Sequence, residues 1–215
     1  MKKIGILSGM GAAAGARFYN ILIEECQRRG AKDDCDFPEV VIYNLSSKGM
    51  DKTGICNDRV IKSDLLKAIY QLDLCGVDII VMACNSVHIY YDYLQSHTKA
   101  QILNMVESAQ NAAGCSQSGI VSSRSTRKSG LYRGLHVTDE QQAEVDSIIG
   151  RAIAGRSIGL QRAQDQMTLY GIIDSLISSG AGTVILGCTE LPLVIDRRMA
   201  VIDPAEIVIR EALAL

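Results

Sequence analysis

Two cysteines of this sequence occupy matching positions. Cys84 lies eight residues after Gly76, and Cys188 lies eight residues after Gly180, with an aliphatic run between glycine and cysteine in both cases. If each run is a buried strand of a parallel sheet, both thiols lie at the carboxyl edge of a sheet, where such sheets bind ligands. A thiolate could then remove a proton from one face of a carbon atom while a thiol returns a proton to the other face. The pair therefore predicts acid–base chemistry that inverts a carbon centre.

Short polar side chains follow both thiols and could bind a substrate. Asn85 and Ser86 come after the first thiol, and Thr189 and Glu190 come after the second. Their hydroxyl and amide groups could hold a carboxylate and stabilise the charge that develops during proton transfer. His88 could tune the first thiol, although a hydrogen-bonded structural histidine explains this residue equally well.

The cysteine content also limits the compartment and the metal chemistry. The total of 7 cysteines is odd and shows no tight spacing, which argues against a secreted disulfide framework and favours a reducing compartment such as the cytoplasm. We expect no metal site, since the sequence has no Cys-x-x-Cys motif and no nearby histidine pair. Because free cysteine is among the most buried residue types, the other five are expected in the core: Cys26, Cys35, Cys56, Cys75 and Cys115.

A glycine-rich loop at residues 8–15 follows a predicted strand and opens a helix, so its backbone N–H groups could bind an anion. Its G-x-G-x-x-x-G pattern is one residue longer than the dinucleotide fingerprint. The next predicted strand ends at Asn44, where a nicotinamide site would have an acidic residue. We therefore expect a carboxylate in this loop and no cofactor.

Two further polar segments are candidates for substrate binding. Ser122, Ser123 and Thr126 follow a predicted strand of the second half, and they either donate hydroxyls to a second carboxylate or form a solvated loop. Lys52 lies in a polar loop at residues 46–56, where it either reaches an acidic substrate or is an ordinary surface lysine.

The composition excludes several classes of protein. The net charge is −2 and aromatic residues make up 5% of the chain, so we expect neither nucleic acid nor an anionic membrane as a partner. No apolar run reaches the roughly 18 residues that a membrane helix needs. The start of the chain resembles a short signal peptide, but its repeated glycines favour a buried strand that leads into a loop.

Short aliphatic runs alternate with amphipathic ones, which is typical of parallel α/β sheets. Asn57 is predicted to cap one helix, and Thr138 with Gln141 forms a capping box for another. The predicted strands cover residues 3–7, 40–44, 77–83, 119–122 and 183–187, with shorter ones at 101–103 and 200–202. The predicted helices cover residues 15–29, 58–75, 87–97, 105–113, 139–154, 160–179 and 204–215.

An internal repeat predicts two similar lobes. The matched cysteine segments are one half of the evidence, and the similarity between residues 4–8 and residues 118–122 is the other. Each repeat is about 100 residues long, which suits a small α/β unit. We expect one lobe at residues 1–100 and the other at residues 101–203, with the ligand cleft between them.

The chain resembles the aspartate/glutamate racemase family, in its aspartate racemase branch. The resembling stretches are Ile4-Gly-Ile-Leu-Ser-Gly-Met-Gly11, Met82-Ala-Cys-Asn-Ser-Val-His88, Gly187-Cys-Thr-Glu-Leu191 and Ile202-Asp-Pro204. The resemblance implies two Rossmann-like or flavodoxin-like lobes with parallel sheets, related by pseudo-twofold symmetry. It implies that the C-terminal helix at residues 204–215 packs back on the first lobe. It also implies cofactor-independent racemisation of an amino acid by two cysteines, commonly in a homodimer.

The resemblance assigns roles to individual residues. Cys84 and Cys188 match the catalytic pair, and Lys52 matches a position where arginine often faces the side-chain carboxylate. Glu190 stands where glutamate racemases carry histidine, which favours the aspartate branch. Ile153 takes the place of a lysine that grips the distal carboxylate in some members, which leaves room for a less acidic or bulkier side chain. The positions that match those expected to hold the α-carboxylate and amino group are Met10, Asn85, Ser86, Ser123, Thr126 and Thr189.

The sequence thus predicts an amino-acid racemase of the aspartate/glutamate type that uses two cysteines on opposite faces of the α-carbon. Two alternatives remain open. One is an isomerase or decarboxylase of the same fold that acts on a small carboxylate. The other is a carboxylate-binding protein without turnover.

Overall fold

The computed structural model describes residues 1–52, 54–114, 117–196 and 201–215. Cys115 and the first residue of the strand predicted at 200–202 lie outside these ranges. The strands are β1 (Ile4–Ser8), β2 (Val40–Asn44), β3 (Met50–Asp51), β4 (Gly54–Ile55), β5 (Ile79–Met82), β6 (Gln101–Ile102), β7 (Ser118–Ser122), β8 (Leu135–His136), β9 (Thr183–Gly187) and β10 (Val201–Ile202). The α-helices are α1 (Ala12–Arg28), α2 (Asp58–Leu74), α3 (Tyr91–Gln95), α4 (Met105–Ala113), α5 (Arg124–Ser129), α6 (Asp139–Ile153), α7 (Gly159–Ser178) and α8 (Pro204–Ala212). Shorter 3₁₀ turns lie at Asp34–Asp36, Ser86–Tyr90 and Leu191–Leu193.

Two four-stranded parallel sheets form the framework. The first has the order β2-β1-β5-β6, and the second has the order β10-β9-β7-β8. Read from opposite edges, the sheets correspond strand for strand, because β1 matches β7 and β5 matches β9. The predicted α/β class with two similar lobes is therefore confirmed.

The central strands are buried because helices cover both faces of each sheet. Every residue of β1, β5 and β7 is buried, which explains their continuous aliphatic runs. Gly5 in β1 lets the Leu72 side chain of α2 approach closely, since a Cβ there would lie 3.2 Å from it. Gly119 in β7 does the same for Leu176 of α7, where the distance would be 3.0 Å. In both lobes, a glycine in the central strand thus allows a leucine of a covering helix to pack closely on the sheet.

Helix α8 returns the end of the chain to the first lobe. It packs against α1 and α4, and Val208 and Ile209 are buried in a cluster with Phe18 of α1. Asp203 caps α8 through the Ala205 N–H at 3.0 Å. Strand β6 also joins the first sheet, so that sheet extends two residues past residue 100.

The capping predictions are confirmed. Asn57 accepts a hydrogen bond from the Val60 N–H at 3.1 Å. Thr138 accepts from the Gln141 N–H at 3.3 Å, and the Gln141 side chain accepts in return from the Thr138 N–H at 3.0 Å. These bonds satisfy N–H groups that the first turn of a helix leaves without partners.

Two predictions about local structure are wrong, and one helix begins slightly earlier than predicted. The helix predicted at 87–97 is a 3₁₀ turn followed by α3, because the His88 ring takes the Cys84 and Asn85 carbonyls that an α-helical turn would use. The helix predicted to start near Gly15 begins three residues earlier, at Ala12, inside the glycine-rich segment. Three cysteines expected in the core are exposed, because they lie in or beside turns at the surface: Cys35, Cys56 and Cys75.

Cys26 is buried, as predicted. Within the described ranges, no helix is long and apolar enough to cross a membrane.

Candidate active site

A pocket of about 350 Å³ lies between the two lobes, and both matched cysteines line it. The glycine-rich loop, the β3–β4 hairpin and the end of β5 contribute from the first lobe. Helix α6, the start of α5 and the end of β9 contribute from the second. The other predicted site residues that line the pocket are Met10, Lys52, Ser86, Ser123 and Glu190.

Cys84 follows β5 at the carboxyl edge of the first sheet. Its side chain is 6% exposed, and its Sγ lies 3.3 Å from the Ser86 Oγ. Burial raises the pKa of the Cys84 thiol, and the Ser86 hydroxyl opposes that rise by its hydrogen bond. The backbone N–H groups of Ser86 and Val87 also favour the thiolate.

Cys188 follows β9 at the equivalent edge of the second sheet, and its surroundings differ. Its Sγ donates to the Glu190 Oε2 at 3.1 Å. Burial raises the pKa of the Cys188 thiol well above its ordinary value, and the negative charge of Glu190 adds to the rise. The two thiols therefore occupy equivalent places but have different hydrogen-bond partners.

Glu190 is a buried carboxyl group inside the pocket wall, 4% exposed. Its Oε2 accepts from the Thr189 hydroxyl at 3.2 Å as well as from Cys188. Burial raises the pKa of Glu190, and these two bonds oppose that rise. Its Oε1 is buried without a hydrogen-bond partner among the described residues, and it packs so closely on Gly11 that a Cβ there would collide with it.

Two of the predicted residues lie behind the pocket. The Asn85 Oδ1 accepts from the Tyr132 hydroxyl at 2.6 Å, which links the two lobes. The His88 Nε2 accepts from the Met105 N–H at 3.3 Å, so its Nδ1 carries the proton and donates to the Cys84 carbonyl at 2.9 Å. Burial lowers the pKa of His88 to about 4. This histidine therefore holds the loop after β5 rather than touching the thiol.

The serine-rich segment after β7 is ordered by helix α5. Ser123 caps that helix, because its Oγ accepts from the Thr126 N–H at 3.3 Å, and the same Oγ donates to the Thr126 Oγ1 at 3.1 Å. Thr126 is 2% exposed and lies behind Ser123. The alternative of a solvated loop is therefore wrong. Ser123 at the start and Gly130 at the end are the signals in the sequence that mark this short helix.

The β3–β4 hairpin and α6 form one part of the pocket wall. Lys52 from the hairpin and Ile153 from α6 both line the pocket. Ile149, one turn earlier on α6, is buried in the same cluster as Cys188. Helix α6 therefore runs from the second thiol towards the mouth of the pocket, where Ile153 is 44% exposed.

Sequence reasoning missed several residues of this site. Gly11, Met50, Asp51 and Ile149 line the pocket, and Tyr132 supports it from behind. Gly11 lies inside the predicted anion-binding loop, so the sequence did contain a signal for it. The contact of Tyr132 with Asn85 joins two lobes, and no local sequence pattern predicts such a contact. No group of three or more potential metal ligands occurs in the described part of the chain.

Comparison with known proteins connects this geometry to a family. A family model described as Asp/Glu/Hydantoin racemase matches residues 7–212. The broad specificity amino-acid racemase RacX of Bacillus subtilis (strain 168) is 28% identical over 204 residues, which cover 90% of this chain and 87% of that protein. A glutamate racemase of Deinococcus radiodurans is 25% identical over 165 residues, or 72% of this chain and 56% of that protein.

Solved structures share the fold. An aspartate racemase homologue from Pyrococcus horikoshii OT3 superposes with a TM-score of 0.79 at 23% identity and covers 100% of this chain and 98% of its own. The aspartate racemase of Picrophilus torridus superposes with a TM-score of 0.78 at 22% identity and covers 100% and 95%, respectively. At these identities the likeness concerns the arrangement of the two lobes.

Proposed function

We propose, from the premise that this chain belongs to the Asp/Glu/Hydantoin racemase family, that it is an isomerase that racemises free amino acids with two cysteines. The single observation that carries the proposal is that Cys84 and Cys188, one from each lobe, line one pocket. A substrate in this pocket would have one thiol on each side. No cofactor enters the proposed reaction.

In the proposed reaction, the thiolate of one cysteine removes the α-proton, and the electrons of the broken C–H bond remain on the α-carbon. The thiol of the other cysteine then donates its proton to the opposite face, which forms the new C–H bond. The first cysteine ends as a thiol and the second as a thiolate. The protein therefore holds the same number of protons before and after each inversion.

We propose that the α-carboxylate binds where hydroxyl and backbone donors converge. Ser86 and Ser123 present hydroxyls to the pocket, and Met10 precedes the first turn of α1, whose N–H groups favour an anion. Asn85 lies behind these donors, where its Nδ2 is buried without a partner among the described residues. Lys52 would face the substrate side chain.

The remaining predicted residues would act through others. Thr126 donates its backbone N–H to the Ser123 hydroxyl and accepts from it, and so fixes the hydroxyl. Thr189 orients Glu190, and His88 fixes the backbone at Cys84. We propose these three as supports rather than as substrate contacts.

We also propose that the lobes divide just after β6, two residues later than predicted, and that the protein acts as a homodimer in the cytoplasm. The pairing of β6 with β5 supports the division. The six described cysteines are free thiols, and the proposed chemistry needs reduced thiols, which supports a reducing compartment. The homodimer rests on the family alone.

The test is α-hydrogen exchange in deuterated water, followed by NMR, with each enantiomer of aspartate, glutamate and several neutral amino acids. The wild type is expected to introduce deuterium at the α-carbon and to convert either enantiomer into a mixture of both enantiomers. Cys84→Ser and Cys188→Ser are each expected to lose racemisation by about 10²–10⁴-fold. Any residual exchange is expected with opposite enantiomers in the two variants, because each keeps one of the two thiols.

Cys75→Ser is the matched control, since this thiol is exposed and does not line the pocket, and it is expected to leave the rate unchanged. Absence of exchange with every amino acid would remove the proposal. Turnover of a small dicarboxylate by isomerisation or decarboxylation would then support the alternative of an isomerase or decarboxylase with the same fold. Binding of such a compound without turnover would support a carboxylate-binding protein.

A further inference from the structure

The two thiols have opposite kinds of hydrogen-bond partner. Around Cys84, the Ser86 hydroxyl and the backbone N–H groups of Ser86 and Val87 can all donate to sulfur. Next to Cys188, the nearest side-chain partner is the Glu190 carboxyl group, at 3.1 Å. The equivalent strand ends thus carry one thiol among donors and one thiol against an acceptor.

This difference decides which sulfur can lose its proton. A thiolate is stabilised by groups that donate a hydrogen bond, which is what Cys84 has, although the charge of Glu190 also raises the pKa of the Cys84 thiol. An ionised carboxylate can only accept, so it holds the S–H proton of Cys188 and repels the charge of a thiolate. The Glu190 N–H opposes this effect at Cys188, but the carboxylate outweighs it.

We propose that Glu190 is a positioning residue that keeps the proton on Cys188 in the free protein, so that Cys84 starts as the base and Cys188 as the acid. The proposal rests on the two-cysteine racemisation proposed above. In the first inversion, the Cys84 thiolate takes the α-proton, and the S–H bond of Cys188 breaks to supply the new C–H bond. The Cys188 thiolate that remains faces the Glu190 carboxylate, which makes this second form of the protein the less stable one.

The other ionisable groups near Cys188 do not cancel the effect. Cys84 is an anion when ionised, and so acts on Cys188 in the same direction as Glu190. Burial raises the pKa of Tyr132, so that its hydroxyl stays neutral. Asp51 and Lys52 on the hairpin also line the pocket, and they carry opposite charges.

The burial of the Glu190 carboxyl group is unusual for a residue whose only role would be packing in the core. A buried carboxyl group with one oxygen unpaired among the described residues is costly. The backbone makes room for it, because Gly11 has a φ of 44° and a Cβ there would collide with the Oε1. Two lobes therefore cooperate to hold a carboxyl group beside one thiol.

The experiment is alkylation of the free protein by iodoacetamide across a series of pH values, with the modified Cys84 and Cys188 peptides counted by mass spectrometry. The pH midpoint of labelling reports the thiolate and does not depend on how easily the reagent enters. In the wild type, Cys84 is expected to label at a lower pH than Cys188. In Glu190→Gln, the Cys188 midpoint is expected to fall by about one pH unit or more, with a smaller shift at Cys84.

Ser86→Ala is the matched variant on the other side, and it is expected to raise the Cys84 midpoint while the Cys188 midpoint changes less. If Glu190→Gln does not fold, the wild type and Ser86→Ala still decide the matter. Equal midpoints in the wild type, or a lower one for Cys188, would overturn the proposal, as would a folded Glu190→Gln with an unchanged Cys188 midpoint. Labelling needs no substrate, so this result is independent of whether the deuterium exchange supports racemisation.

Discussion

Ile153 is an apolar side chain at the end of the pocket where a substrate side chain would lie. Ile149 extends the same apolar surface towards Cys188. Among the described residues that line the pocket, Lys52 is the only cation, and the same lining holds two carboxyl groups, those of Asp51 and Glu190. A second carboxylate on the substrate would therefore meet little net positive charge, whereas a neutral side chain could pack on α6.

Replacing Ile153 by lysine is expected to shift preference towards acidic substrates. The new ammonium group would pair with a distal carboxylate at a partly exposed position, and we expect the ratio of kcat/KM for aspartate to that for a neutral amino acid to rise about tenfold. Deuterium exchange with both substrates measures the ratio. Ile177→Lys on α7 is the control, because Ile177 is equally exposed, at 43%, and lies outside the pocket. An equal change in both variants would mean that Ile153 does not contact the side chain.

The thiols and their immediate neighbours could be found from the sequence because strand ends and the residues after them are local features. Met10, Lys52, Ser86 and Ser123 all line the predicted pocket. Tyr132 could not be assigned, since its partner Asn85 is 47 positions away and on the other lobe. The difference between the two thiols was equally hidden, because it depends on where the Glu190 side chain turns.

At the scale of elements, the buried Asp165 joins α6 to α7. It is 1% exposed and accepts from the Arg151 Nη2 at 2.7 Å, the Ser157 Oγ at 2.8 Å and the Gln161 Nε2 at 2.9 Å. Burial alone would raise the pKa of Asp165, but these bonds outweigh it and the pKa is lowered. The cluster fixes the end of α6 that carries Ile153.

Asp165→Asn is expected to destabilise the fold by about 2–4 kcal/mol at pH 7, because Arg151 loses its charged partner. A lowered pKa means that the wild-type carboxylate stabilises the fold above its unfolded pKa of about 4, and that this contribution is lost as the pH falls further. Urea unfolding measures the free energy of unfolding at pH 7 and at pH 3. Its decrease from pH 7 to pH 3 should therefore be smaller in the variant than in the wild type. Asp139→Asn is the control, since that carboxylate is 88% exposed. A variant as pH-sensitive as the wild type would contradict this role.

The long elements were predictable and the short ones were not. Helices such as α2 bury one face at a spacing of three to four residues, and Asn57 marks its start. The hairpin of β3 and β4 has two residues in each strand, too few for an alternating pattern to appear. Its position depends on packing against the second lobe, where Gly54 lies against Ser125.

At the scale of the whole molecule, α4 and α8 make the lobes depend on each other. Helix α8 packs on α1 and α4. Val106 and Ala109 on α4 are buried with Ile120 and Ile185 of the second sheet. The end of the chain thus completes the first lobe, and α4 joins that core to the second lobe.

Ile209→Ala is expected to cost about 2–4 kcal/mol, because it opens a cavity between α8 and the first lobe. Since α4 contacts both lobes, we expect one unfolding transition in calorimetry before and after the change, at a lower temperature in the variant. Ile158→Ala is the control, since this side chain is 69% exposed and should change stability by less than about 0.5 kcal/mol. Two separate transitions would show that the lobes unfold independently.

The unlike partners of the two thiols have a thermodynamic consequence for a racemase. An amino acid and its mirror image have equal free energy, so the specificity constant kcat/KM must be the same in both directions whatever surrounds the sulfurs. The unequal protonation of the two thiols that Glu190 would cause through Cys188 can therefore affect the rate only when substrate saturates the protein. In that regime, kcat and KM for one enantiomer change by the same factor. The asymmetry would set which enantiomer occupies the protein more fully, while the final proportion of the two enantiomers stays equal.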